Sequence, residues 1–453
     1  MLKLRDYQTE TIDNIYHSIR QGHRSIMVQQ PPRTGKTLIM AEIARRATAK
    51  GNRVLFVVHR KEIVDQARET FKNQSVNMRL VTMGMVQTLT RRVDKLDKPT
   101  IIFVDEAHHV LAKSYMRILE RFPDATRLLF TATPIRLSGE GFDGVADDLI
   151  IGKPIDWLIE NNYLAPIDYY APSGIDSKQL KVKRSGEFDE KSIEQALKPK
   201  IYGDVVATFK KLSKDKQAIA YTYNVNSAIK LADTFSHNGI TAKYVTGKTP
   251  KDERDAIVDN YRNGKIQVIA NPMIFTEGID LPNVDTVIML RPTQSLSLYL
   301  QFAMRSMNPR KGKTAIIIDH VGNVNRFGLP TDNREWNLIG TDKRTKHASA
   351  STVSVTTCQF CFAVFERKNL THCPVCGAEI AEPKELEVET DVKLEKINTK
   401  NRLERIKKVI SSNVAGKTPN ELNSYAEIKE YGNLMKYKPG WAYYYAKKRG
   451  FIH

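Results

Sequence analysis

The sequence predicts an α/β protein: two tandem parallel-sheet domains, then a zinc ribbon built on four cysteines and a small helical C-terminal region. Three observations predict it. Short apolar runs alternate with helical patterns through most of the chain, which is the pattern of parallel sheets covered by helices. A phosphate-loop pattern, Gln30-Pro31-Pro32-Arg33-Thr34-Gly35-Lys36-Thr37, lies between one such run and a helix. The four cysteines, Cys358, Cys361, Cys373 and Cys376, form two C-x-x-C pairs eleven residues apart, the spacing of a compact tetrahedral site.

Residues 25–29 read as the first strand, leading into the phosphate loop. The Gly35-Lys36-Thr37 turn ahead of the helical run 38–46 sets backbone N–H groups at a helix N-terminus, where phosphates bind. Lys36 would reach the β- and γ-phosphates. Residues 53–58 supply another strand, followed by a helix over 61–71. Ile101-Ile102-Phe103-Val104 reads as a buried strand that delivers Asp105 and Glu106 at its end. Thr37 and Asp105 would hold Mg2+, and Glu106 would orient and deprotonate the attacking water. Residues 128–131 add a strand and complete a first domain over residues 1–165, whose polar loops leave the C-terminal strand ends.

A second domain spans residues 166–340, with strands over 218–221, 267–270, 286–290 and 315–319, a helix over 227–237, and no phosphate loop of its own. Residues 173–200 are polar and read as exposed. Residues 341–357, rich in Lys, Ser and Thr, read as a linker, 358–385 as the zinc ribbon and 386–453 as a basic, aromatic helical tail. The alternative for the cysteines, two disulfides, is disfavoured by an intracellular setting. His372 is a weaker ligand than the four thiolates. Ala415-Gly416-Lys417-Thr418 lacks a preceding buried strand and reads as a loop before a helix.

A chain of 453 residues is too long for one core. No apolar run is long enough to span a bilayer, and the N-terminus lacks the apolar stretch of a secretory signal, so an intracellular protein with no membrane partner is expected. A net charge of +19 favours a polyanionic partner. Residues 391–453 hold fourteen Lys and Arg against six Asp and Glu, and there Trp441, Lys447 and Lys448 interleave aromatic and basic side chains. That mixture suits stacking on bases and neutralising phosphates, but equally a small core built on Trp441 and the tyrosines.

In motif order the chain resembles the superfamily 2 helicases of the DEAH-box type, on the branch of XPB-like and type III restriction translocases. Within them it is most similar to helicase-like proteins of phage and prophage replication modules of Gram-positive bacteria. The resemblance covers residues 1–340 in motif order, and the ribbon and tail match that subgroup. Leu4-Arg5-Asp6-Tyr7-Gln8 resembles the adenine-reading motif, with Gln8 on the base edge and Arg5 beside it. Arg33, Thr34, Gly35, Lys36 and Thr37 match motif I. Val58-His59-Arg60-Lys61-Glu62 resembles motif Ia, and residues 82–88 sit where the next nucleic-acid-contacting motif lies. Asp105 to His108 is motif II, and Thr131-Ala132-Thr133-Pro134 is motif III. Residues 270–282 resemble motif V and Gln301 to Arg305 motif VI.

The resemblance implies two RecA-like domains with ATP in the cleft between them. Lys36, Asp105, Glu106, His108 and Arg305 would be catalytic, with His108 coupling hydrolysis to the second domain. Gly278, Asp280 and Gln301 would complete the nucleotide site, Asp280 being as readily a structural loop carboxylate. Arg60, Thr88 and Thr276 would grip nucleic-acid phosphates. Two positions depart from the pattern. Arg33 stands where the family usually has Gly, and its Cβ resists a positive φ, so the loop is expected to be shaped differently there. Asn308 stands where the family has a second motif VI arginine, leaving Arg305, or Arg310 two residues on, as the finger.

The expectation is an ATP-, Mg2+- and Zn2+-binding DNA helicase or translocase of phage replication. It would act as a monomer in the cytoplasm, or in the host cytoplasm if phage-encoded, on single-stranded or forked DNA and beside other phage replication proteins. The alternatives are an RNA helicase and a weakly active ATPase that serves as a nucleic-acid-binding module. The ribbon stays open between a docking knob and a passive brace.

Overall fold

The computed structural model describes residues 2–135, 141–171, 180–183, 186–196, 201–272, 281, 283–339, 355–358, 361, 363–366, 370–378, 422–434 and 440–451. They fall into two compact units, Met1–Ile380 and Ala381–His453.

The first unit carries two lobes, each built on an all-parallel sheet. In the first lobe the strands are β1 (Ser25–Gln29), β2 (Val54–Val58), β3 (Val81–Met85), β4 (Ile101–Val104), β5 (Thr126–Thr131) and β6 (Asp148–Ile151). Their order across the sheet is β3-β2-β4-β5-β1-β6. Side chains alternate across a strand, so β2 sends Val54, Phe56 and Val58 into one core cluster and Leu55 and Val57 into another. Helices α1 (Asp6–Arg20), α2 (Lys36–Ala49) and α3 (Lys61–Asn73) close the first face through Ile12, Ile39 and Phe71. The helices Val86–Arg91 and Lys113–Arg121 close the other through Leu89 and Ile118. Cover on both faces is why β1 and β2 are buried along their whole length and read as unbroken apolar runs.

The second lobe repeats the plan with β7 (Ile167–Tyr170), β8 (Ala218–Tyr221), β9 (Ala242–Tyr244), β10 (Val268–Asn271), β11 (Thr286–Met289) and β12 (Ala315–Asp319). Its order is β7-β12-β11-β8-β10-β9, again all parallel. The sequence reading omitted β3, β6, β7 and β9 as strands. Each is short and mixed in polarity, and all four stand at an edge of their sheet.

The lobes share an apolar pivot. Tyr7 of α1, Ile155 and Leu158 of the helix Ile155–Glu160, and Met304, Met307 and Ala315 of the second lobe form one cluster. The Ala165 N–H donates to the Met307 carbonyl at 2.9 Å beside it. On the same two lobes, the Arg254 guanidinium and the Glu62 carboxylate pair at 3.4 Å.

Beyond the second lobe, β13 (Val355–Thr357) and β14 (Val364–Glu366) form an antiparallel hairpin. Residues 355–357, assigned above to the linker, therefore belong to the ribbon, because pairing with β14 makes them strand. The ribbon lies on the second lobe. Ala363 bridges Tyr170 at the end of β7, and Val364 enters that lobe's core. In the second unit, which begins at Ala381 rather than at the predicted 386, the helices Tyr425–Leu434 and Trp441–Lys448 share a small core of Leu422, Ile428, Tyr431 and Ala446. Among the described residues no helix is long and apolar enough to cross a membrane.

Candidate nucleotide site between two lobes

Parallel strands put the same ends together. The phosphate loop follows β1, Asp105 and Glu106 follow β4, and Thr131 ends β5, so all of them leave one edge of the first sheet. Gly35 caps α2 with φ 82, a left-handed turn that favours glycine, and a Cβ there would stand 2.5 Å from the Gln8 amide nitrogen and push that side chain aside. Arg33 has φ 65. The expectation that its Cβ would reshape the loop is corrected: the backbone takes the left-handed turn regardless, at a cost of about 1–2 kcal/mol.

Three side chains of the N-terminal segment brace this loop. The Tyr7 hydroxyl and the Gln8 amide both donate to the Thr34 carbonyl at 2.8 Å, and Arg5 N–H donates to Gln8 Oε1 at 2.9 Å. Gln8, expected on the edge of the adenine, is buried here with both ends of its amide engaged by main chain. Arg5 lies over the Tyr163 ring at 5.2 Å and donates to the Tyr7 hydroxyl at 3.2 Å. The Thr34 hydroxyl closes the loop by donating to the Pro31 carbonyl at 2.7 Å. Tyr7 belongs to the N-terminal motif, yet the sequence alone gives it no role. Its place one residue before Gln8 was the available signal.

At the centre, Lys36 Nζ lies 3.3 Å from Glu106 Oε1, and His108 Nδ1 lies 3.3 Å from Glu106 Oε2. His108 also reaches the Thr131 hydroxyl at 3.4 Å, which in turn donates to the Thr133 carbonyl at 3.1 Å. A continuous polar path thus runs from the phosphate loop through the water-activating candidate to motif III. Burial works against the Glu106 carboxylate, but the Lys36 ammonium and His108 outweigh it and hold it well below the usual range. Asp105 is pushed up to about 6 by burial and then by the neighbouring Glu106 charge. The nearby Lys36 ammonium offsets that only in part, which leaves the Asp105 carboxyl suited to a further cation. With the Thr37 hydroxyl at the start of α2, it fits a divalent cation with oxygen ligands. His59, next to Arg60 at the start of α3, is lowered to about 4 by burial and then by Arg60, so it is neutral. Its ring packs 5.4 Å from that of His109.

The second lobe brings Gln301 on the helix Leu296–Ala303 and Arg305 on the turn Met304–Ser306, both buried. The Arg305 guanidinium hydrogen-bonds the buried Tyr221 hydroxyl at the end of β8. Arg310, the other candidate finger, is paired with Asp285, which also lies 3.6 Å from Lys313. The phosphate loop touches this lobe directly: Arg33 Nε donates to the Arg305 carbonyl at 3.3 Å and its Nη2 to the Leu281 carbonyl at 3.4 Å. Thr276, Gly278 and Asp280 lie outside the described residues, as does Ala415-Gly416-Lys417-Thr418.

Of the nucleic-acid candidates, Arg60 and Thr88 are half-buried on the first lobe and Lys447 is exposed in the tail. Lys448 closes the last helix, and its side chain lies outside the described residues. Trp441 stacks on Tyr445 with ring centroids 4.9 Å apart and packs against the small core of its unit. The aromatic rings that stand out from that helix are Tyr443 and Tyr444, the latter 74% exposed.

The four cysteine sulfurs all lie within 4.8 Å of one another, and Cys358–Cys376 and Cys361–Cys373 are each 3.7 Å apart. A tetrahedron with metal–sulfur bonds of about 2.3 Å has edges close to that length, so the set fits a zinc ribbon.

The sequence matches two family models, "Type III restriction enzyme, res subunit" over residues 1–136 and "Helicase conserved C-terminal domain" over residues 198–309. A 51.5 kDa protein of a Lactococcus phage is 38% identical over 427 residues, covering 93% of this chain and 92% of that protein. IRC3 of Saccharomyces cerevisiae, whose name describes an ATP-dependent helicase, is 31% identical over 355 residues, 70% of this chain and 51% of that protein. The chain thus spans about half the yeast protein's length. A solved fragment of an HsdR subunit of a type I restriction enzyme from Vibrio vulnificus shares the fold. It has a TM-score of 0.58 and 19% identity over 72% of this chain and 66% of that one.

Proposed function

Because the chain belongs to the superfamily 2 helicases, on the branch of the type III restriction and XPB-like motors, we propose that it hydrolyses ATP to move along or separate DNA strands during phage replication. The polar path from Lys36 through Glu106 and His108 to Thr131 carries the reading, since it ties phosphate contact to the sheet end facing the second lobe. DNA is favoured by a relative from Sulfurisphaera tokodaii whose name describes a DNA translocase, and by the net charge of +19. The site of action is the cytoplasm of the bacterial host, as a monomer working beside other replication proteins.

In this mechanism Lys36 leaves Glu106 for the β- and γ-phosphates when ATP enters. A divalent cation held by Thr37 and Asp105 would screen phosphate charge. Glu106, freed from Lys36 and still held by His108, takes the proton of the attacking water. Arg305 turns from Tyr221 toward the γ-phosphate as the lobes close about the apolar pivot, and opening after hydrolysis shifts a strand lying across both lobes.

The test is ATP hydrolysis measured alone and with single-stranded DNA, duplex DNA and RNA. Stimulation by DNA well above RNA is expected. Stimulation by RNA alone would overturn the DNA assignment, and no hydrolysis in any mixture would overturn the enzyme.

We assign the cysteine site to one Zn2+ per chain. Chelation should release it and lower the melting temperature of the second lobe, because the ribbon packs on Tyr170. Elemental analysis finding no zinc in protein purified without chelator refutes the assignment.

The tail is assigned to nucleic-acid binding. Deleting residues 391–453 should weaken DNA binding and flatten its salt dependence while ATP hydrolysis without DNA persists. Tyr444→Ala should weaken single-strand binding by about 1–3 kcal/mol, whereas Trp441→Ala should unfold the tail's helices instead. Unchanged salt dependence after the deletion removes the tail from the binding surface.

A further inference from the structure

Arg33 occupies a backbone conformation that disfavours any side chain with a Cβ, in the loop that must close around phosphates. Its side chain does not point along its own lobe. It spans the cleft to two main-chain carbonyls of the second lobe, that of Arg305 within motif VI and that of Leu281 at the end of motif V. Main-chain acceptors make these contacts a reading of where the second lobe's backbone lies, whatever side chains it carries. Their lengths, 3.3 and 3.4 Å, are at the long end for N–H···O bonds. Guanidinium contacts to neutral carbonyls at that length give way readily to anionic phosphate, which binds the group more strongly.

We propose that Arg33 is a positioning residue of the hydrolysis reaction: it struts the phosphate loop against the turn carrying Arg305 and gives up that strut to ATP. ATP loading is thereby coupled to lobe movement in a chain where Asn308 replaces the second motif VI arginine. The proposal rests on the ATPase reading above and adds to it a residue that acts on the lobes through main chain. The strut also accounts for the retained left-handed turn, since a glycine would relieve the strain but could not cross the cleft.

The experiment compares wild type, Arg33→Gly and Arg33→Lys as full-length zinc-loaded proteins. Glycine suits a left-handed turn, so Arg33→Gly should melt no lower than wild type. Two readouts follow. Small-angle scattering without nucleotide should show a larger radius of gyration for Arg33→Gly, with Arg33→Lys between, because one ammonium reaches one carbonyl. The kcat for DNA-stimulated hydrolysis should fall about tenfold or more in Arg33→Gly while KM for ATP moves little, because the phosphate contact that is lost is offset by the strut contacts that no longer have to be broken, and Arg33→Lys should recover part of the kcat. An unchanged radius together with an unchanged stimulated kcat overturns the proposal. So does a rise in KM that accounts for the whole loss, which would make Arg33 an ordinary phosphate contact. If the wild type hydrolyses no ATP, the enzyme reading fails, and the scattering comparison alone decides the strut.

Discussion

Lys36→Ala abolishes ATP hydrolysis and weakens ATP binding, whereas Glu106→Gln keeps ATP bound and stops turnover: that contrast is the expected result of steady-state rates set beside binding of labelled nucleotide. The two side chains face each other at 3.3 Å, so they are partners before ATP arrives and separate when it does. In the proposed mechanism Lys36 supplies charge to the transferring phosphoryl group, and losing such a preorganised charge costs about 10²–10³ in kcat or more. In the same mechanism Glu106 works on the water, and an amide cannot take its proton, which costs about 10²–10⁴. The mutants should differ in stability too. Lys36→Ala takes the ammonium away from the buried Glu106 carboxylate and should lower the melting temperature. Glu106→Gln removes the charge that needed balancing and should not. Near-normal hydrolysis by Glu106→Gln would sink the assignment.

The second large effect is at Arg305. Arg305→Ala should lower turnover by roughly 10³-fold, the scale of an arginine finger, whereas Arg310→Ala should change it by only about twofold. Arg305 is 8% exposed, sits on the turn that Arg33 touches, and leans on Tyr221, a neutral phenol that it can leave. Arg310 already has Asp285, with Lys313 in the same group. Turnover with each variant at saturating ATP and DNA decides it. A larger loss in Arg310→Ala would move the finger.

How much of this could be read beforehand depends on how local each feature is. β1, β4, β8 and β12 matched their apolar runs because strands covered on both faces show their burial directly in composition. β3 hid behind its glycine and methionines, and edge strand β9 behind Lys243, because its character comes from pairing with β10. The places of Lys36, Asp105 and Glu106 at the strand ends were legible from fixed spacing beside buried strands. The hold of Gln8 on the Thr34 carbonyl depends on side-chain packing that no spacing encodes. The Arg33 strut joins residues 272 positions apart, so the sequence marked Arg33 as out of place but not what it touches. Trp441 shows the opposite limit. An aromatic–basic run looks the same whether its rings face a nucleic acid or each other, and only the stack on Tyr445 tells them apart.

The hairpin laid against β7 has a further consequence. A parallel sheet ends in strands whose outer backbone groups are unpaired, and such an edge is a template on which another chain can add a strand. In the second lobe β7 is one of those two edges, and β14 comes alongside it, with Ala363 bridged to Tyr170. With the zinc proposed above in place, the cysteine cluster that shapes this cover would also guard solubility. A chain made where zinc is scarce would expose a strand ending in Tyr169 and Tyr170, and its failure would be self-association into insoluble material rather than a slower enzyme.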